Sequence, residues 1–398
     1  MIDHSDSSFR LLVTGGGTGG HTYPALTTVH ALRTRLAAAG RGLDVVWVGT
    51  ASGLEARVAA EAGIAFVGIA AGKIDRGQMF SLGNVRNLAR AGRGVGQARS
   101  IVAEFAPDAV LATGGYVAVP VGLAAALRRR PLVVHEQTTR LGLANRVLAR
   151  VATRVAVSSE ATLSLLPQAI RATTVVTGNP VRPEVLAGRP ERAVAALGLR
   201  GFAAHLPVVY VTGGAQGARQ INALVRDVLP WLLTQANVIH QCGPAHLAEL
   251  QQHVPGLPAE LAGRYHLTGF LGVELPDVLA LADVVISRSG AGTCAELTAL
   301  GRAAILVPLA SSAGGEQAHN ARHLHQAGAA VALLDEVSPA CLRQALEPLI
   351  SDPGRRGEMA ARARALGRPD AADRLAEVVL SSVPPRRRST AAANGDRQ

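Results

Sequence analysis

Twice, about half a chain apart, an apolar run ends in a glycine turn: LLVTGGGTGGH at 11–21 and VVYVTGGAQGAR at 208–219. Runs that are apolar at every position read as strands buried on both faces, the habit of parallel sheets. A parallel strand hands its turn to the N-terminus of the next helix. Free backbone N–H groups and the helix dipole favour an anion there, and glycine lets the backbone approach closely. The chain is therefore expected to form two α/β units that bind two phosphate-bearing ligands, or grip one ligand from two sides.

At 398 residues the chain is too long for one ordinary core. Apolar runs at 11–14, 45–49, 65–69, 109–112, 132–135, 154–157 and 174–177 predict the strands of one doubly wound unit. Runs at 208–212, 238–241, 265–268, 284–287, 304–307 and 330–333 predict a second. The break falls at 178–205, where prolines and helix-poor signals precede the new strand. No apolar stretch approaches the ~20 residues of a spanning helix. The N-terminus lacks a signal-peptide layout, and three scattered cysteines suggest a reducing cytoplasm with neither disulfide nor zinc. The net charge of +11 invites a nucleic-acid partner, yet aromatics are only 3% and Lys73 is the single lysine among 40 basic residues. With no stacking platform, nucleic acid is not expected, and anionic lipids or anionic substrates fit better.

The segment 71–100 breaks the pattern by mixing Met79, Phe80, Leu82, Val85 and Leu88 with Lys73, Arg76, Arg86, Arg90 and Arg93. Two readings stay open: a basic amphipathic patch lying on an anionic membrane, and a loop and helix packed on the sheet. Gly15, Gly17 and Gly20 satisfy the dinucleotide pattern, but the second strand ends in Thr50 rather than in the acid that would bind a ribose, and Glu55 lies beyond it. A dehydrogenase is therefore disfavoured.

His21 closes the first turn, placed either to take a proton near neutral pH or merely to cap the helix. HEQ at 135–137 offers Glu136 as a second base at another strand end, and GGY at 114–116 is a third glycine turn suited to phosphate oxygens. In ADVVISRSGAGTCAEL at 282–297, the turn suits a pyrophosphate, Thr293 is expected to cap the helix, and Glu296 suits ribose hydroxyls. GGEQAHNARH at 314–323 supplies the amides Gln317 and Asn320. His319 and His323 lack the metalloprotease glutamate between them, so a helix surface is expected there rather than zinc.

The order GGGTGGHTYPAL, GTASGLEARV, TGGYVAVP, HEQ, GNPVR, GGAQGAR, SRSGAGTCAEL and GGEQAHNA resembles the MurG family from about residue 9 to about 378. The resemblance implies a GT-B fold, two doubly wound Rossmann-like domains facing across a cleft. It implies inverting transfer of N-acetylglucosamine from UDP-N-acetylglucosamine to the C4 hydroxyl of undecaprenyl-pyrophosphoryl-N-acetylmuramoyl-pentapeptide, converting lipid I to lipid II for peptidoglycan. No metal and no cofactor is implied. The expected place is the cytoplasmic face of the membrane, peripherally, with cell-wall synthesis and division proteins as candidate partners. The expected division is an acceptor-side domain at 9–182, a linker at 183–206 and a UDP-sugar domain at 207–368. A C-terminal helix at 369–383 returning to the first domain and a disordered tail at 384–398 complete it.

Residue by residue, the resemblance places Thr18, Gly19, Gly20, Arg182, Ala215, Gln216, Leu271, Ala291, Glu296 and Gln317 on the donor, and Arg288 is expected at the leaving diphosphate. Gly16, Gly17, Gly114, Gly115 and Tyr116 fall to the acceptor pyrophosphate. His21 is the expected base, with Glu136 orienting it or acting instead. Met79, Phe80, Leu82, Arg86 and Arg90 form the membrane patch. Thr138 and Ala215 stand where the family usually has asparagine and serine. This keeps open a relative with another acceptor, or a weakly active UDP-sugar or lipid-binding scaffold. A UDP-N-acetylglucosamine 2-epimerase would need a carboxylate set around the sugar that the sequence does not offer.

Overall fold

Strands such as LLVT and VVIS have no polar face to show water, so each sheet must be covered by helices on both sides. The computed structural model describes residues 8–72 and 82–384 and shows two such sheets. The first contains β1 (Phe9–Thr14), β2 (Leu43–Gly49), β3 (Ala65–Gly68), β4 (Ala109–Ala112), β5 (Leu132–Glu136), β6 (Arg154–Val157) and β7 (Thr174–Val176), in the spatial order β3-β2-β1-β4-β5-β6-β7. The second contains β8 (Val208–Thr212), β9 (Asn237–Gln241), β10 (Tyr265–Thr268), β11 (Val284–Ser287), β12 (Ala303–Leu306) and β13 (Val331–Ala332), in the order β10-β9-β8-β11-β12-β13. Every pairing is parallel, and the order reverses beside β1 and beside β8, the strands that carry the two glycine turns. Crevices open at such reversals, beyond the carboxyl ends of the strands.

Side-chain alternation divides each sheet between two cores. Leu11 and Val13 pack with Val29 and Leu32 of the helix Gly19–Ala38. Leu12 faces the other way, toward Val121 of the helix Ala118–Leu127. In the second sheet Val209 and Val211 meet Ile221 and Leu232 of the helix Arg219–Gln235, while Val208 and Tyr210 meet Val278 and Leu297.

The break between the sheets is more helical than its prolines suggest. Pro183 and Pro190 open two short helices, Pro183–Leu186 and Pro190–Leu197, at first-turn positions where proline's missing N–H costs no hydrogen bond. Val185 and Ala193 pack into the second half's core. A second correction concerns Thr293, which lies inside the helix Ala291–Leu300. Gly290 holds the capping position, because the helix starts directly after the glycine turn.

The chain crosses between the halves twice. Gly178, at φ 86°, ends the first crossing so tightly that a Cβ there would lie 2.6 Å from that of Arg368 on the return. The C-terminal helix Ala371–Ser381 then seats Leu375, Ala376 and Val379 among Phe9, Leu11 and Val29. Among the described residues no helix is long and apolar enough to cross a membrane. Met79 and Phe80 lie outside the described residues, as do 385–398. Leu82 and Arg86 belong to the first turns of the helix Leu82–Phe105, and Arg90 on it is exposed.

Leu375 is fully buried although it comes from the chain end. Leu375→Ala is expected to cost about 2–5 kcal/mol in urea unfolding, as a cavity in the first core. A loss below about 1 kcal/mol would mean that the helix is not part of that core.

Candidate active site

Three strand ends of the first sheet meet at one place. After β1 the backbone turns through Gly15–Gly17 into the helix Gly19–Ala38, and after β4 it turns through Gly114 and Gly115, both at positive φ. The two turns touch: the Gly16 amide donates to the Gly114 carbonyl at 3.3 Å, and a Cβ on Gly115 would run into the carbonyl of Gly16. Tyr116 lies over Gly17, whose absent Cβ would be 3.7 Å from the ring. His21, in the first turn of the helix, sits against Gly114, where a Cβ would come within 2.9 Å of its Nδ1. That nitrogen is 3.0 Å from the Thr113 carbonyl oxygen and 3.1 Å from Gln137 Oε1, and the Thr113 hydroxyl donates to the His21 carbonyl at 2.8 Å.

The expected partnership of His21 with Glu136 is not formed, and the reason is strand alternation. Successive side chains at the end of β5 point to opposite sides, so His135 and Gln137 share the side of His21 and Glu136 leaves it. Glu136 Oε1 accepts from the Thr138 amide at 3.0 Å and lies 2.8 Å from its hydroxyl, while Oε2 accepts from the Gly142 amide at 2.8 Å and Asn145 Nδ2 at 2.9 Å. Both oxygens are occupied in closing the 138–142 loop, which makes Glu136 an anchor. Thr138 serves that closure with its amide and its hydroxyl, so the departure from asparagine does not leave a hole.

Glu55 is a residue whose part sequence reasoning missed. Strand β2 lies beside β1, so the start of the helix Leu54–Glu61 falls beneath the first glycine loop. There the fully buried Glu55 accepts from the Gly17 amide at 3.1 Å, the Thr50 amide at 3.0 Å and the Thr50 hydroxyl at 2.6 Å. Burial alone would raise its pKa, but the Thr50 and Gly17 hydrogen bonds outweigh that and hold the carboxyl below its usual range. The amides of Gly16 and Gly17, expected at an acceptor pyrophosphate, are thus already donating within the protein. The first-turn amides of Gly19 and Gly20, which helix geometry leaves without intrahelical partners, are the ones suited to an anion.

In the second half the turn after β8 leaves Ala215 and Gln216 exposed. Its tightness comes from Gly217, at φ 72°, whose Cβ would run into the Cys242 carbonyl. After β11, the Ser289 hydroxyl donates to the Gln317 carbonyl at 2.8 Å, Asn320 Nδ2 donates to the Ser289 carbonyl at 3.0 Å, and Gln317 Oε1 accepts from the Leu309 amide at 3.0 Å. Gln317 is thus held against this turn, which Ala291 follows directly, and Glu296 lies farther along the same helix. One expected donor residue turns its side chain away, and another is partly engaged within the protein. Leu271 is buried in the second core, leaving only its backbone for a base. Arg288 commits Nη1 to Gln220 Oε1 at 2.9 Å and the Val307 carbonyl at 2.9 Å, bracing the ends of β11 and β12.

The halves meet across this space. Arg182 Nη2 lies 3.0 Å from Glu296 Oε1, and its guanidinium is 5.8 Å from the centre of the Tyr23 ring. Arg140 Nη1 is 3.3 Å from His319 Nε2. A cavity of about 410 Å³ runs between Gln137, Ser158 and Asn179 on one side and Ala291, Cys294 and His323 on the other.

The glycosyltransferase family 28 N-terminal domain model matches residues 11–157, and the glycosyltransferase family 28 C-terminal domain model matches 208–375. A protein of Desulforudis audaxviator named UDP-N-acetylglucosamine--N-acetylmuramyl-(pentapeptide) pyrophosphoryl-undecaprenol N-acetylglucosamine transferase is 39% identical over 93% of this chain and 97% of its own. One of the same name from Halothermothrix orenii is 36% identical over 93% and 98%. Among solved structures, MurG of Acinetobacter baumannii superposes with a TM-score of 0.73 at 27% identity, over 94% of this chain and 99% of that one.

The lowered pKa of Glu55 carries a sign. Its ionised form stabilises the fold above the unfolded pKa, and that contribution is lost as pH falls through the folded value. Glu55→Gln is expected to lower stability at neutral pH by about 1.5–3 kcal/mol and to make the acid decline shallower than in the parent. Urea unfolding at a series of pH values checks both, and parallel curves for the two proteins would contradict the assignment.

Proposed function

The chain belongs to the MurG family, and from that premise we propose how its own residues carry the family's reaction. The protein is a UDP-N-acetylglucosamine-dependent hexosyltransferase of the GT-B fold, converting lipid I to lipid II in peptidoglycan synthesis. Our assignment of roles rests on one observation above all: His21 is held where two glycine turns of the first sheet meet, facing the space across which Tyr23 meets the Arg182–Glu296 pair.

In the proposed reaction the acceptor's C4 hydroxyl attacks the anomeric carbon of N-acetylglucosamine from the face opposite UDP. The new bond joins the C4 oxygen to that carbon, the bond to the diphosphate oxygen breaks, and configuration inverts. The hydroxyl proton passes to Nε2 of His21, general-base catalysis contributing about 10²–10⁴-fold. Negative charge grows on the departing diphosphate. The N-termini of the helices Arg219–Gln235 and Ala291–Leu300, reached through the turns with Ala215, Gln216 and Gly290, are arranged to take it. Glu296 and Arg182 hold the ribose side, and Gln317 reads the sugar. The amides of Gly19 and Gly20 and the Gly114–Tyr116 turn are assigned to the acceptor pyrophosphate. Thr18 lies at the sugar.

We assign residues 9–182 to the acceptor side and 207–368 to the nucleotide sugar, with the paired crossings at Gly178 and Arg368 as the hinge. We further propose that the segment bearing Met79, Phe80, Leu82, Arg86 and Arg90 rests on the anionic cytoplasmic leaflet, where the acceptor's lipid is anchored.

Incubation with UDP-N-acetylglucosamine and a short-chain lipid I analogue is expected to give disaccharide. His21→Ala is expected to lower kcat by about 10²–10⁴-fold. Glu296→Ala is expected to raise the donor KM by roughly tenfold, the loss of one charge-assisted interaction. Undiminished kcat in His21→Ala would remove it as the base. Binding of UDP-N-acetylglucosamine without product would favour a different acceptor.

For the membrane patch, flotation with anionic liposomes should fall several-fold when Met79, Phe80 and Leu82 are changed to serine. Equal flotation of the parent and the triple variant would exclude the patch as the anchor.

A further inference from the structure

His21 is the end of a hydrogen-bond relay whose direction is fixed at every step. Gln137 Nε2 lies 2.7 Å from the Thr113 carbonyl oxygen and 3.2 Å from the His135 carbonyl oxygen. Both are acceptors only, so this end of the amide is the NH₂ and the end toward His21 is the oxygen. Nδ1 of His21 therefore faces two acceptors, Gln137 Oε1 at 3.1 Å and the Thr113 carbonyl at 3.0 Å, and must carry a proton to satisfy them. On the far side, Gln137 Nε2 lies 3.1 Å from His135 Nδ1, and His135 Nε2 lies 3.1 Å from the Gly178 carbonyl. The carbonyl requires an N–H on His135 Nε2, which leaves the Nδ1 lone pair to accept from Gln137. Burial, helped by His21 and opposed by the Gly178 bond, pushes the His135 pKa down to about 4, so its ring stays neutral and that lone pair persists.

We propose that Gln137 is a positioning residue of the transferase: buttressed by His135 and the Thr113 carbonyl, it holds His21 in the tautomer protonated on Nδ1, leaving the Nε2 lone pair for the acceptor hydroxyl. This rests on His21 as the base. The relay runs Gly178 carbonyl, His135, Gln137, His21, with the donor at each step set by a neighbouring carbonyl that can only accept. When Nε2 takes the proton, the charge appears on a ring whose Nδ1–H already points at two oxygens, so no dipole has to turn during the reaction. Of the other titratable groups on the elements around His21, Glu136 is turned to Gly142 and Asn145, Glu55 lies beneath the loop, and Tyr23 and Tyr116 lie beside it, while His30, Arg33 and Arg35 stand more than two turns further along the same helix. Among the described residues the partners of Nδ1 are Thr113 and Gln137.

The test combines spectroscopy with kinetics. In wild-type protein labelled with ¹⁵N-histidine, with His21 assigned by its loss in His21→Gln, long-range ¹H–¹⁵N correlation above the His21 titration should show Nδ1 protonated and Nε2 bare. The opposite tautomer overturns the proposal, whatever any variant does. Gln137→Met keeps side-chain length but offers no acceptor amide. It is expected to raise the share of the Nε2–H tautomer, lower kcat by about tenfold or more and leave the donor KM within about twofold. Its acidic kcat limb should move to lower pH, because the imidazolium has lost an acceptor. Wild-type kcat and tautomer in Gln137→Met would overturn the proposal while leaving His21 as the base. Full activity in His21→Ala would instead remove the base itself. Should Gln137→Met fail to fold, the wild-type tautomer decides alone.

Discussion

The close approach of two backbone turns, at the ends of β1 and β4, is the constraint on which the acceptor side depends. Gly16 donates to Gly114, and neither Gly114 nor Gly115 has room for a side chain: the one would strike His21 and the other the Gly16 carbonyl. Because the turns are this close, a side chain in the first helical turn can lie across the end of β4 and reach the end of β5. His21 touches Thr113 and Gln137 for that reason. A substituent in either turn would separate the strands' loops and move the imidazole, which is where a displacement of about 1 Å weakens catalysis steeply.

The same contact explains the buried carboxylate beneath it. A glycine loop bent this sharply has amides that point inward as well as outward, and an inward N–H must be satisfied. Glu55 does this for Gly17 while also tying down Thr50, so one charge secures two loops. The arrangement divides labour along the loop: Gly16 and Gly17 are spent on structure, and the helix start at Gly19 and Gly20 faces outward. In the second half the divisions are similar. Arg288 braces strand ends through backbone carbonyls, while Arg182, paired with Glu296, meets Tyr23 across the space between the sheets. Arg182 follows the first crossing directly, so its position depends on the geometry at Gly178, the residue whose carbonyl also holds His135.

Much of the fold was legible because burial on both faces leaves an unmistakable mark. The strands of both series appear where uninterrupted apolar runs place them, with ends shifted by a residue or two. Helix starts near proline were harder. Pro183 and Pro190 read as breakers, whereas at the first turn of a helix they are compatible with it. At the site, His21, Glu296 and Gln317 could be named from motif order, but their partners could not. Glu55 looked irrelevant because it sits past the strand end where a dinucleotide-binding acid belongs. Glu136 looked chemically apt, yet its direction is set by the pleat of β5, and that pleat hands the contact with His21 to Gln137.

What the sequence determined by itself is the kind of molecule: two parallel α/β halves, glycine turns at the strands where the order reverses, and a motif order specific to one family of sugar transferases. These follow from local chemistry, since apolar runs must be buried and glycine turns lead into helix starts whatever lies around them. Tertiary structure alone decided which groups are free and which are already engaged. A carboxylate, an arginine or an amide has the same sequence signature in either state, and the difference is made by neighbours far along the chain. Gly17 meets Glu55, Arg288 meets Val307, and His21 meets Gln137 because strand order brings their loops to one edge.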